Sequence, residues 1–300
     1  MRRAIAYRSH PGRRAMNQDA VLAVRLPHGS YLLAVADGMG GHAAGEVAST
    51  EAAAALLRCV RAGSSLARAM VHANTAVFNA GGRVAGRRGM GTTLVAALAG
   101  TESFNVVNVG DSRAYLLDPH RATQLTVDHS LVAEATRAGI GAGAVAARWQ
   151  HAILRAIGTD PSVEVDTFGP YRWQPRSLLL LCSDGLYRAM DDAELHHVVI
   201  HSSTVAGAAD ALVARALALG AEDNVSVALL DAGLIAVEPR VAAADARSRP
   251  PALAPRLPAT SARRGHGHRL KHRRPRVIAA ALGIAALLVL ALVLWLVRIT

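Results

Sequence analysis

A long apolar segment near the carboxyl end divides this chain before any other pattern is considered. Residues 277–297 form a run of 21 uncharged, apolar residues, which as a helix would be about 31 Å long. That length matches the hydrocarbon core of a bilayer, and core helices of globular proteins seldom run so far without a polar face. The sequence therefore predicts one transmembrane helix at 277–297 and a short external tail at 298–300.

The segment before the apolar run, residues 238–276, is rich in Pro, Arg, Ala and His, and we interpret it as a linker. Basic residues favour the cytoplasmic side of a span, and the amino terminus lacks the apolar stretch of a signal peptide. We therefore expect a single-pass protein of the cell membrane with residues 1–237 in the cytoplasm. Two roles remain open for the basic cluster: a topology determinant alone, or attraction to anionic lipid as well. Seven residues form this cluster: Arg263, Arg264, Arg269, Lys271, Arg273, Arg274 and Arg276.

The formal net charge of +11 at first suggests a nucleic-acid partner. Twelve of the 33 Lys and Arg residues lie from residue 238 onward, where only two acidic residues occur, so residues 1–237 carry a net charge of about +1. The basic tail also lacks the interleaved aromatic residues that stack on bases. We therefore expect no nucleic-acid partner.

Residues 1–237 combine short apolar runs with segments in which Ala and Leu recur at helical spacing. Strands and helices each come in pairs rather than in regular alternation, which predicts an α+β layered domain over residues 1–237. The predicted strands are 20–25, 31–36, 93–99, 104–109, 113–117, 177–182 and 225–230. The predicted helices are 44–61, 64–80, 130–139, 191–200 and 204–219.

Aspartate stands at the rim of four of the apolar runs. Asp37 closes LLAVAD, Asp111 closes FNVVNVGD, Asp184 closes LLLLCSD and Asp223 opens DNVSVALL. A single aspartate in such a place is usually a turn or cap residue. Strands that pair in a sheet would gather all four carboxylates, which repel one another unless a cation neutralises them. Oxygen ligands without a His or Cys set indicate Mg²⁺ or Mn²⁺, and paired ions of this kind hydrolyse phosphate esters.

Glycines and arginines near the first of these aspartates support a phosphatase. Asp37 lies in the glycine-rich segment ADGMGGHAAGE, where a backbone carbonyl and an ion can approach each other closely. Arg14 is a candidate phosphate clamp, because a guanidinium matches phosphate oxygens in a bidentate geometry. Arg13 has the same chemistry, and spacing alone does not choose between them.

Seven motifs in residues 1–237 together resemble the metal-dependent serine/threonine protein phosphatases of the PP2C (PPM) family, especially bacterial members that oppose membrane serine/threonine kinases. The order of the motifs along the chain is that of the family, and they cover nearly the whole domain. They are RRAMNQDA (13–20), VADGMGGHAAGEVAS (35–49), GMGTTLVAAL (89–98), VGDSRAYLL (109–117), LTVDHSLV (125–132), LLCSDGLY (180–187) and EDNVSVALL (222–230).

The resemblance implies a four-layer αββα sandwich, which in this chain would be followed by the basic linker and the C-terminal transmembrane helix. It implies two Mn²⁺ or Mg²⁺ ions in a cleft at the sheet edge. Asp37 would bridge both ions, the Gly38 carbonyl would bind the second, and Asp184 and Asp223 would bind the first. Asp111 matches a position that helps to hold a weaker third ion in bacterial relatives.

The same resemblance implies the roles of two further residues. Arg14 matches the phosphate-binding arginine, and Asp19 matches an acid that orients metal-bound water. The nucleophile would then be a hydroxide that bridges the two ions. The expected substrates are phosphoserine and phosphothreonine in cytoplasmic proteins, including a membrane Ser/Thr kinase.

Two residues depart from the family pattern, and one segment is expected to set specificity. Gln18 replaces the glutamate of many relatives, and Met39 replaces a histidine proposed as general acid in eukaryotic relatives, which leaves leaving-group protonation unassigned. His42 is close in sequence, but we favour a helix-capping role for it. Residues 133–155 correspond to the mobile flap of bacterial relatives, where substrate choice is expected.

Two functions of other classes compete with a phosphatase. A phosphoprotein-binding scaffold without turnover would keep the fold, but the retention of all the metal-binding aspartates argues against it. A membrane-anchored nucleic-acid binder would use the basic tail, which sits against the bilayer and lacks aromatic residues.

Overall fold

The computed structural model describes residues 4–40, 44–83 and 87–235. The predicted linker, transmembrane helix and external tail therefore lie outside the described residues. Within the described ranges, no helix combines the length and apolar character that crossing a membrane requires.

Eleven strands among the described residues form two antiparallel sheets. Sheet 1 has the order β1–β11–β10–β7–β8, and sheet 2 has the order β2–β3–β5–β6–β9, with β4 paired to β3. The strands of sheet 1 are β1 (Ile5–His10), β7 (Arg113–Leu117), β8 (Ala122–Gln124), β10 (Leu178–Cys182) and β11 (Val225–Asp231). Those of sheet 2 are β2 (Asp19–Arg25), β3 (Tyr31–Met39), β4 (Gly91–Thr92), β5 (Leu94–Ala99), β6 (Ser103–Val109) and β9 (Asp166–Arg172).

The two sheets pack face to face through alternate residues of their strands. Leu33 and Val35 of β3 and Val95 of β5 meet Leu179 and Leu181 of β10 in one buried cluster. The residues between them point to the opposite face, because successive side chains of a strand alternate. Each sheet therefore has a second apolar face, which must be covered by another layer.

Helices cover these outer faces and complete four layers. Helices α1 (Ala44–Arg61) and α2 (Leu66–Arg83) pack on sheet 2. On sheet 1 the packing helices are α4 (Asp184–Tyr187), α5 (Asp192–Ile200) and α6 (Val205–Ala218). The remaining helices are α3 (Leu131–Arg137) and α7 (Ala232–Ile235), with two short 3₁₀ turns at Ala142–Ala144 and Ala147–Trp149. The predicted α+β fold with two antiparallel sheets and helical layers is confirmed.

All seven predicted strands and all five predicted helices are present at nearly the predicted bounds. The strands that the sequence did not predict are β1, β4, β8 and β9. Three of them lie at sheet edges and the fourth is two residues long. Edge strands expose more of their side chains, so they lack the continuous apolar run that marks a buried strand.

Candidate metal centre

Five aspartates lie at one common edge of the two sheets, which we call the acidic edge. Asp19 begins β2 and pairs directly with Asp37 of β3. Asp111 follows the end of β6, Asp184 opens α4 just after β10, and Asp223 lies just before β11. The antiparallel order brings these strand ends together, as the sequence pattern predicted for four of them.

Hydroxyl groups join the two sheets at this edge. Ser183, between β10 and α4, donates its hydroxyl hydrogen to Asp19 Oδ2 at 2.8 Å. The hydroxyls of Thr93 and Ser112 lie 2.7 Å apart and share a hydrogen bond. Thr93 also accepts a hydrogen bond from the Asp37 amide at 2.9 Å. The positions of Asp19 and Asp37 are therefore fixed by groups from both sheets.

Asn224 connects two loops at the site. Its Oδ1 accepts from the Gln18 amide at 2.8 Å, and its Nδ2 donates to the carbonyls of Pro11 and Met16 at 2.9 and 3.0 Å. Its own amide donates to Asp223 Oδ1 at 2.8 Å. The side chain thus ties the loop that carries Arg14 to the loop that carries Asp223.

Two glycines permit the close approach of these loops. A Cβ on Gly185 would lie 2.2 Å from the Asn224 carbonyl oxygen. Gly12 has a φ of +61°, and a Cβ there would lie 2.0 Å from the carbonyl oxygen of Asp223. No larger residue fits at either position without moving the backbone.

Gly38 follows Asp37 within β3 and pairs with Thr92 of β4. Its amide donates to the Gln18 carbonyl at 3.2 Å. The candidate carbonyl ligand therefore sits on a regular strand beside the acidic edge. Met39 is the last residue of that strand, and its side chain carries no titratable proton.

Burial and mutual repulsion raise the pKa values of several carboxyl groups in the cluster. The pKa of Asp37 lies well above its usual range, first because the group is buried and then because Asp19, Asp184, Asp111 and Asp223 surround it. Burial, with Asp111 and Asp223 next in importance, raises the pKa of Asp184 to about 8. Burial raises the pKa of Asp19 to about 6, although serine hydroxyls oppose the change.

Two unpaired carboxylate oxygens make the cluster suited to binding a cation. Within the described residues, Asp19 Oδ1 and Asp184 Oδ1 are buried and have no hydrogen-bond partner. A buried charge without a partner is costly, and a bound cation removes that cost. The donor set is composed of hard oxygens, which fits Mg²⁺ or Mn²⁺.

The described side chains do not form a complete ligand shell for an ion. Among the described His, Cys, Asp and Glu side chains, no group of three or more is placed to hold one metal ion. Mg²⁺ keeps several waters and commonly binds only one or two carboxylates. An ion bound among these aspartates would therefore keep part of its water shell.

Arg14, rather than Arg13, contacts the acidic edge. Its Nη2 lies 2.8 Å from Asp223 Oδ2, and 61% of its side chain is exposed. The guanidinium of Arg13 lies beside Gly220, in the turn between α6 and β11. The structure therefore shows which of the two arginines faces the acidic edge, a choice that the sequence spacing alone could not make.

A buried histidine network links the Asp111 loop to the segment predicted as a flap. His129 Nδ1 accepts from the Gly110 amide at 3.1 Å, and its Nε2 lies 3.1 Å from Asp166 Oδ2. Arg155 donates to Asp166 Oδ1 at 2.7 Å. Burial lowers the pKa of His129, which favours the neutral ring. This role was not predicted, since His129 lies within a motif but its partners are distant in sequence.

The predicted flap, residues 133–155, contains most of α3 and both 3₁₀ turns. Amide hydrogen bonds from Leu131 to Ala152 and from Leu154 to His129 hold its two ends together. Trp149 and Leu154 are more than half exposed on it. His42, the other residue considered near the site, lies outside the described residues.

Comparison with known proteins identifies the family. The family model described as protein phosphatase 2C matches residues 8–219 of this chain. The serine/threonine phosphatase stp of Listeria monocytogenes is 36% identical over 241 residues, which cover 76% of this chain and 95% of the relative. The serine/threonine protein phosphatase PstP of Mycobacterium tuberculosis is 35% identical over 240 residues, which cover 73% of this chain and 42% of the relative.

Solved structures show the same similarity. Serine/threonine phosphatase Stp1 from Staphylococcus aureus has a TM-score of 0.69 and 30% identity over 76% of this chain and 94% of that structure. The catalytic domain of PstP in complex with two manganese ions has a TM-score of 0.64 and 33% identity, over 76% of this chain and 96% of that structure.

A carboxylate cluster at one edge of two packed sheets is suited to holding the metal ions that hydrolyse phosphate esters. The chain belongs to the protein phosphatase 2C family. It is a serine/threonine protein phosphatase of that type, and the predicted cofactors, Mn²⁺ or Mg²⁺, are those of the family. The predictions of family, enzyme class and cofactor are confirmed.

Proposed function

We propose that this enzyme hydrolyses phosphoserine and phosphothreonine in cytoplasmic proteins at the acidic edge, with two Mn²⁺ or Mg²⁺ ions. Asp37, the Gly38 carbonyl, Asp184 and Asp223 would hold them. The observation that carries the proposal is the carboxylate cluster, which has buried unpaired oxygens and raised pKa values that a bound cation would offset. When bound, such ions supply positive charge for the phosphoryl oxygens and, in the expected bridging form, a hydroxide as nucleophile.

Asp19 is proposed to orient the attacking water. Its Oδ2 is held by Ser183, which fixes the plane of the carboxyl group. Its Oδ1 has no partner among the described residues and lies across the β2–β3 ladder from Asp37. The free oxygen can therefore accept a hydrogen bond from a water at the acidic edge.

Arg14 is proposed to hold the substrate phosphate. Its guanidinium is largely exposed and contacts Asp223 at the rim of the site. A phosphate dianion offers two oxygens in the geometry of the guanidinium fork. A substrate phosphate can therefore reach the Arg14 guanidinium directly from solvent and bind next to the carboxylate cluster.

We further propose that the enzyme is anchored in the cell membrane, with the domain 1–237 in the cytoplasm, the linker 238–276 and a span at 277–297. The uncharged run of 21 residues and the seven basic residues before it support this arrangement. An enzyme held at the membrane is close to membrane Ser/Thr kinases, which we propose among its substrates. The basic cluster would also contact anionic lipid.

Phosphate release from a phosphothreonine peptide tests the proposed chemistry. The full chain should be active with Mn²⁺ and inactive after EDTA, and Asp37→Asn should reduce kcat by at least about 100-fold. Asp210→Asn is the matched control, because Asp210 is an exposed acid on α6 that pairs with Arg8. Undiminished activity of folded Asp37→Asn would contradict the two-ion mechanism. Peptide binding without turnover by the wild-type enzyme would favour the scaffold instead.

A further inference from the structure

Arg188 lies between two of the carboxylates assigned to metal ions. It follows α4 directly, four residues after Asp184, and this spacing places both side chains on one face of the turn. Its Nε is 2.9 Å from Asp184 Oδ2. Its Nη2 is 3.5 Å from Asp111 Oδ2, although Asp111 comes from the end of another strand. One guanidinium therefore contacts two carboxylates whose residues are far apart in sequence.

The turn that carries Arg188 is fixed against the Asp111 loop. The Tyr187 hydroxyl donates to the Asp111 carbonyl at 2.9 Å, and the guanidinium of Arg113 lies 3.6 Å from the centre of the Tyr187 ring. The side chains of Asp111 and Asp184 are 3% and 13% exposed, whereas that of Arg188 is 32% exposed. Arg188 thus reaches from the surface to a pair of buried acids.

We propose that Arg188 takes the place of the third metal ion, so that this phosphatase works with two ions and a built-in guanidinium. The family resemblance assigns a weaker third ion to Asp111. A metal ion bound to Asp111 next to Asp184 would share these carboxylates with Arg188. The ion and the guanidinium would then lie only a few ångströms apart, and their positive charges would repel each other.

An arginine is suited to this position because its planar guanidinium carries several N–H donors and can contact two carboxylates at once. Its charge also offsets the negative charges of Asp111 and Asp184. Because it contacts only Oδ2 of Asp184, the other oxygen, Oδ1, is left for the ion that Asp184 is proposed to hold. Asp184 Oδ1 has no hydrogen-bond partner in the described part of the chain, whereas Oδ2 faces Arg188. The inference therefore rests on the proposed ligand roles of Asp111 and Asp184.

Mn²⁺ binding to the full chain in detergent tests the inference. Electron paramagnetic resonance of free Mn²⁺ gives the number of bound ions and their dissociation constants without any activity assay. The wild-type protein should bind two ions. Arg188→Ala should bind a third, at least about tenfold more tightly than any third ion of the wild type. Arg188→Lys, which keeps a positive charge, should remain close to wild type.

Two further variants make the result specific. Adding Asp111→Asn to Arg188→Ala should remove the third ion and leave the first two, because Asp111 is its expected ligand. Arg215→Ala is the matched control: Arg215 pairs with the surface acid Glu194 on the helices that cover sheet 1, and its loss should leave the count at two.

The outcomes separate this inference from the proposed function. A wild-type protein that binds three ions, or an Arg188→Ala variant with an unchanged third affinity, would overturn the role of Arg188 while leaving the two-ion mechanism intact. Failure of the wild-type protein to bind two ions would instead contradict the proposed function, and the role of Arg188 with it.

Discussion

Single residues at the acidic edge differ in how far the sequence could define their roles. Asp37, Asp184 and Asp223 stand at the ends of apolar runs, so pattern alone places them at a sheet edge. Arg14 and Arg13 are adjacent and chemically equal, so only the folded loop shows which guanidinium reaches Asp223. Arg188 was not predicted, because its second partner, Asp111, is 77 positions away.

Arg14 offers a test at this scale. Arg14→Ala should raise KM at least about tenfold, because a charge-assisted hydrogen bond to phosphate contributes roughly 1.5–3 kcal/mol. The turnover number kcat should change much less, since the proposed role is to bind phosphate in both ground and transition states. Steady-state kinetics on the phosphothreonine peptide measure both values, with Arg13→Ala as the control. Wild-type KM in Arg14→Ala would remove Arg14 from the substrate site.

At the scale of elements, the sequence predicted the buried central strands and missed three of the four strands at the sheet edges. Strands β3, β5 and β10 read as continuous apolar runs and were predicted, whereas β1 and β9 expose several side chains at the sheet edges. The pairing of β1 with β11 joins Ile5 to Leu230. No local pattern contains such a long-range contact, so the sequence predicted no strand order.

The loop contacts of Asn224 permit a test of how elements are joined at the site. Asn224→Ala would leave the Gln18 amide and the carbonyls of Pro11 and Met16 without their partner. The free energy of unfolding should fall by about 2–4 kcal/mol, because each lost buried partner costs roughly 1–3 kcal/mol and some groups regain water. Urea unfolding of the EDTA-treated protein measures this. The control is Asn105→Ala, at an exposed position of β6. If both variants lowered the free energy of unfolding by the same small amount, the proposed role of Asn224 in joining the two loops would be contradicted.

At the scale of the whole molecule, residues 1–237 and the following segments were defined by different signals. The phosphatase domain was recognised from seven motifs spread over its length, and its fold and family are confirmed. The linker and the transmembrane helix rest on composition alone: an uncharged apolar run and a basic cluster before it. The proposed topology would determine where the enzyme meets its substrates, so it needs a separate test.

Protease added to intact spheroplasts should leave the phosphatase domain undigested. The expected protection follows from the seven basic residues of 263–276, which would hold their side of the proposed span in the cytoplasm, because only Arg298 follows the span. Replacing the seven with neutral residues should increase the digested fraction, because the charge difference across the span is then lost. Detergent-permeabilised spheroplasts are the control, in which the protease must reach and cleave the domain. Digestion of the wild-type domain in intact spheroplasts would overturn the orientation, and cytoplasmic phosphoproteins could then not be its substrates.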